Sequence, residues 1–175
     1  DGAASGRPII RMPKPLRVGV RCTTAPKLKA TSYCPVEPLR PERRPAVTLG
    51  DAIKALPPSA DGKHPGGIDH NYVVRGWQPD GALRSVAVLR DPAGGRSMEI
   101  LTDQPGIQVY TGNYLDGTVT GKGGAAYGRQ AAVCLETQLY PDAIHHAGQA
   151  DWPTVRLDPG QTYRHTMVHR FTATR

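Results

Sequence analysis

Three side chains in this sequence are of the kinds that move protons or hold hydroxyl groups. Each lies where a strand pattern turns one face polar. Glu136 stands in "AAVCLETQLY" as a lone carboxylate between Cys134 and Gln138. Successive strand side chains point to opposite faces. Val133, Leu135, Thr137 and Leu139 therefore share a mostly apolar face, and Ala132, Cys134, Glu136 and Gln138 share the other. In "GIQVYTGN" the same alternation sets Ile107, Val109 and Thr111 against Gln108 and Tyr110. In "GGIDHNYVV", Asp69, His70 and Asn71 come side by side just before a strand begins. An amide and two carboxylates from separate strands can converge on a cleft that hydrogen-bonds a polyhydroxylated ligand. Taken singly, each also has an ordinary reading: Asp69 as a turn or capping residue, Gln108 and Glu136 as solvated strand positions.

The elements that must position these residues are strands. "YVV" is a short apolar strand, and "ALRSVAVLRDPAGGRSMEILTDQ" reads as two strands joined by a Pro/Gly turn. "GIQVYTGN", "AAVCLETQLY" and "TYRHTMVHRFTAT" supply three more, and "DAIKAL" makes one or two helical turns at most. The expected class is all-β, an antiparallel sandwich or barrel.

The chain has 175 residues and a net charge of +7, and that charge is not evenly spread. Residues 1–48 hold ten Lys or Arg against three acids, and residues 49–175 hold twelve of each. The pI thus reports on the first quarter of the chain and says nothing of a ligand for the rest. That quarter also carries eight prolines, which remove backbone donors and fix φ. Two segments are expected: a basic, Pro-rich irregular arm over 1–48, and a β-sandwich portion over 49–175. Within the arm, "PLRVGVRC" is the best strand candidate, with Leu16, Val18 and Val20 alternating with polar or small residues. No apolar run approaches a membrane span, and the first residues lack the apolar stretch of a secretory signal. Three widely spaced cysteines, Cys22, Cys34 and Cys134, argue against a disulfide framework. The plainer reading is a reducing, cytoplasmic setting.

The stretches "GGIDHNYVV", "MEILTDQPGIQVYTGNYLDGT", "CLETQLYPDAIHH" and "LDPGQTYRHTMVHRF", in this order, resemble the aldose 1-epimerase (galactose mutarotase) family over roughly residues 62–173. The resemblance is to the C-terminal part of such a protein. It implies a large β-sandwich with a sugar site on a concave sheet, and a reaction that interconverts the α and β anomers of a hexose by acid–base ring opening. It places the family's general base on Glu136 and its sugar-binding aspartate and glutamine on Asp69 and Gln108. It implies no metal and no organic cofactor, and a galactose- or glucose-like aldose as partner. The family's acid histidine precedes the "DHN" block, and residues 1–63 contain no histidine. No acid is assigned by motif, and weak or absent activity is expected of this chain alone. A non-catalytic carbohydrate-binding remnant is the alternative. Half a sandwich would also leave sheet surface uncovered and favour self-association. The arm's Arg- and Pro-rich texture is that of a reading frame translated out of register.

Other features carry less. "GTVTGKGG" has three residues between Gly117 and Gly121 where a phosphate loop needs four, and it reads as a hairpin loop. His70 points away from Asp69 on an extended backbone. His165 and His169 lie too far apart along a strand to share one ion, and His145 and His146 fit a loop at the cleft rim. Cys134 reads as a small packing residue. A third reading has the basic arm bind nucleic acid through phosphate contacts, but Tyr33 is its only aromatic residue, and no nucleic-acid partner is expected.

Overall fold

The computed structural model describes residues 17–20, as backbone, and 48–174. The remainder of the expected arm, residues 1–16 and 21–47, lies outside the described residues. Among the described residues, seven strands and one short α-helix follow in order: β1 (Arg17–Val20), α1 (Leu49–Lys54), β2 (Asp69–Val73), β3 (Arg84–Asp91), β4 (Arg96–Thr102), β5 (Gly106–Tyr110), β6 (Cys134–Gln138) and β7 (Met167–Ala173). They form two antiparallel sheets, ordered β1-β3-β4-β7 and β2-β5-β6. The class is all-β, as the alternation predicts.

Local chemistry explains the elements. Asp91 closes the expected β3–β4 turn: its carboxylate accepts the N–H groups of Ala93 and Gly94 and pairs with Arg96. Thr48 caps α1 by accepting the Asp51 N–H at 3.0 Å. A bulge at Ser85–Ala87 lets the adjacent Val86 and Ala87 both be buried, which strict alternation forbids. The strand candidate around Val18 is β1, which pairs with β3 through Val18 and Leu89.

The two sheets meet through apolar side chains. Val86, Ala87 and Ile100 of the larger sheet pack with Val74 and with Ile107 of β5. Leu49 of α1 closes a second cluster over Ile68 and Val109, with Leu135 of β6 touching both clusters. Ile107, Val109 and Thr111 are therefore inward, as their spacing predicts, and Thr137 is buried beside them.

Two boundaries differ from the sequence reading. β2 starts at Asp69, so Asp69, His70 and Asn71 lie within the strand. Pairing of Asp69 with Tyr110 and of Asn71 with Gln108 extends the ladder past the apolar "YVV". β7 starts only at Met167, because the chain before it is held elsewhere: His165 Nε2 lies 2.8 Å from Thr137 Oγ1, and the Tyr163 hydroxyl donates to Gln104. All seven residues of β7 are exposed, with Phe171 at 72%. Among the described residues, no helix is long and apolar enough to cross a membrane.

Candidate active site

β5 is the central strand of the smaller sheet, and the site follows from its register. Gln108 faces Asn71 on one side and Glu136 on the other, while Tyr110 faces Asp69 and Cys134. Directly opposed residues of antiparallel strands share a face. Asp69, Asn71, Gln108, Tyr110, Cys134, Glu136 and Gln138 therefore all project from the side of the sheet away from the core. The three residues singled out by chemistry meet there. Gln108 Nε2 donates to Asp69 Oδ1 at 2.7 Å, and Glu136 occupies the neighbouring position across the ladder.

Asp69, Gln108 and Glu136 line one open cleft of about 410 Å³ together with Tyr110, Tyr114, Gln138 and Pro141. That size falls at the lower end of small-molecule sites, about 300–1,000 Å³. Sequence reasoning placed Tyr110 and Gln138 on the polar face without giving them a role, and it missed Tyr114 and Pro141. The signal for Tyr114 is tertiary: its N–H donates to the Tyr110 hydroxyl at 3.1 Å, which folds the post-β5 loop back over the sheet. Tyr114 is 60% exposed, with His64 edge-on to its ring.

His70 does point the other way. It sits opposite Val109, whose side chain is in the core. Its Nδ1 accepts the Asp69 N–H at 3.1 Å. Burial holds its pKa below the ordinary imidazole value, and nearby His64 adds to the effect against the opposing pull of Asp69. The imidazole is a neutral acceptor that helps hold the first residue of β2.

Cys134 departs from expectation. It is exposed on the cleft side, on β6, the last strand of the described smaller sheet, and does not pack in the core. Partial burial, and then the adjacent Glu136 carboxylate, push its thiol pKa up, so it is a poor nucleophile near neutral pH. His145 and His146 lie in a 3₁₀ turn, Ala143–His146, away from the cleft lining. His146 stacks on Trp152 with ring centroids 3.9 Å apart, and His145 pairs with Asp142. The segment around Gly121 is a hairpin-like loop, with Tyr127 N–H donating to the Val119 carbonyl. Among the described residues, no group of three His, Cys, Asp or Glu side chains could hold a metal ion.

A larger hollow of about 1040 Å³ lies beyond the end of β6, lined by Trp77, Gln104, Tyr140, Trp152 and Tyr163 among others. Asp69, Gln108 and Glu136 do not reach it. The smaller cleft holds the convergent carboxylates and amide, so chemistry rather than size selects it.

The profile of the family Aldose 1-epimerase matches residues 26–170. Galactose mutarotase of Homo sapiens is 40% identical over 151 residues, which is 83% of this chain and 42% of that protein. The aldose 1-epimerase of Haemophilus influenzae is 36% identical over 101 residues, covering 57% of this chain and 28% of that one. In fold, the chain resembles the crystal structure of a GalM/aldose epimerase homologue from C. elegans. The TM-score is 0.65 at 20% identity, over 92% of this chain and 46% of that one. The chain thus spans less than half the length of these relatives.

Proposed function

This chain belongs to the aldose 1-epimerase family, and from that premise we propose that the β2-β5-β6 cleft binds an aldose with Glu136 placed as general base. The observation that carries the reading is the cross-strand constellation: Glu136 beside Gln108, and Gln108 hydrogen-bonded to Asp69 at 2.7 Å, all on one cleft. Asp69 and Gln108 take the sugar hydroxyls, one as acceptor and the other as donor and acceptor. Glu136 removes the proton from the anomeric O1 hydroxyl. The C1–O1 bond becomes a carbonyl as the C1–O5 bond breaks, and the ring oxygen takes up a proton. Rotation about C1–C2 and the reverse sequence give the other anomer. General acid–base pairs of this kind contribute about 10²–10⁴-fold when both partners are within reach.

The cleft lining holds Glu136 and no histidine. The proton for the ring oxygen is then supplied by solvent water, so this chain alone is expected to bind sugar and to turn it over weakly. The same observation supports the second reading, a carbohydrate-binding portion without catalysis. Polarimetry on freshly dissolved α-D-galactose separates the two when run beside Glu136→Gln. A weak acceleration lost in the variant, with sugar binding kept, supports the base. An acceleration unchanged in the variant contradicts it, and no acceleration in either chain leaves the binder. The exposed strand β7 is further proposed to seat a second copy of the chain. A sedimentation profile that stays monomeric up to high concentration overturns that.

A further inference from the structure

Asp69 can serve a sugar only if the start of β2 is fixed, and the peptide just before it is held by a buried polar knot. The Ile68 N–H donates to Thr111 Oγ1 at 3.0 Å, and the Thr111 N–H donates back to the Ile68 carbonyl at 3.0 Å. Asn113 Nδ2 donates to that same carbonyl at 2.8 Å. The Thr111 hydroxyl in turn donates to Asn113 Oδ1 at 2.6 Å. Thr111 and Asn113 are both fully buried, at 0% exposure. On the near side Gly67 has φ +82, and a Cβ there would overlap Asn113 Oδ1. The chain therefore enters β2 by a glycine that lets Asn113 close against it.

Three of these four hydrogen bonds end on Ile68, the residue immediately preceding Asp69. Its far end is the loop after β5, the strand that carries Gln108. We infer that Thr111 and Asn113 are positioning residues for sugar recognition: they lock the Ile68 peptide so that Asp69 stays in register with Gln108. This rests on the sugar-site reading above and assigns the knot a role within it. A purely structural account would have these buried polar groups stabilise the loop without reference to the ligand.

The two accounts separate in a double-mutant cycle on D-galactose affinity, measured by amide-shift titration of the full chain. Asp69→Asn is expected to weaken binding by about tenfold, the scale of one hydrogen bond to a charged group. Thr111→Val keeps the shape but removes the hydroxyl's contacts with Ile68 and Asn113, and it is expected to weaken binding to a similar extent. The double variant is expected to bind as poorly as Asp69→Asn and no worse, because Thr111 acts through Asp69. Thr111→Ser, which keeps the hydroxyl, is expected to bind as the parent chain does. Should Thr111→Val fail to give a dispersed amide spectrum, Asn113→Asp takes its place in the cycle. Losses that multiply in the double variant overturn the inference, as does Thr111→Val binding within twofold of the parent. An Asp69→Asn chain that binds like the parent removes the sugar-site reading itself, a different failure from the other two.

Discussion

Replacing Gln108 by glutamate exchanges an amide for a carboxyl of nearly the same shape at the centre of the site. The Nε2 donor lies 2.7 Å from Asp69 Oδ1, so the variant sets two carboxylates at about that separation. Across the ladder Glu136 provides a third. Two unit charges at that distance repel by about 1.5 kcal/mol even at a water-like dielectric of ~80, and by about 6 kcal/mol at ~20. The cleft is open, so the lower figure governs. That repulsion raises the pKa of the introduced carboxyl above its unfolded value. A carboxyl whose folded pKa is raised contributes stability below that pKa and loses it as pH rises through it. Gln108→Glu is therefore expected to match the parent near pH 4, where a protonated carboxyl can still donate to Asp69. By pH 7 it should be less stable by about 1.5 kcal/mol or more. Urea unfolding followed by tryptophan fluorescence at the two pH values measures this, with Gln108→Ala as a control that lacks the titrating group. A stability difference from the parent that does not change with pH would show that the new group does not face Asp69, and the cross-strand constellation would be wrong.

Two further outcomes check neighbouring parts of the account. Glu136 raises the Cys134 thiol pKa after burial does, so Glu136→Gln should make Cys134 react faster with iodoacetamide at pH 8; an unchanged rate means the carboxylate does not face that thiol. His70 is held neutral by burial, so its folded pKa lies below the ordinary 6.5 and the unfolded chain binds its proton first. Stability should then fall as pH drops below about 6.5, and His70→Gln should flatten the urea midpoint between pH 7.5 and 5.5; an equally steep loss in the variant assigns the effect to another group.

Much of the site could be read from strand alternation because β5 and β6 are single antiparallel strands with one face in the core. Where Ile107 and Val109 must be inward, Gln108 must be outward, and the same logic fixes Glu136 from Leu135 and Thr137. Alternation cannot say which strands are neighbours. The order β2-β5-β6 joins segments tens of residues apart, and family resemblance rather than periodicity brought Asp69 to Gln108. Alternation also mislaid the start of β2. The polar run Asp69–Asn71 has little strand propensity, and it is strand because β5 offers it a ladder. Tyr114 and the Thr111–Asn113 knot escaped for a related reason. Their roles come from hydrogen bonds to Tyr110 and Ile68 across loops, which no local pattern encodes. Cys134 was misjudged because its type suggests burial, while it lies exposed on the cleft side of β6.

The most direct test of the whole account is a titration of D-galactose into the isotope-labelled chain, followed at every backbone amide and at the side-chain amides of Gln108 and Gln138. Saturable shifts centred on Asp69, Gln108 and Glu136, with a common affinity, are the expected result. Shifts centred instead on the larger hollow around Trp77 and Trp152, or no saturable shift at the three residues, would contradict it.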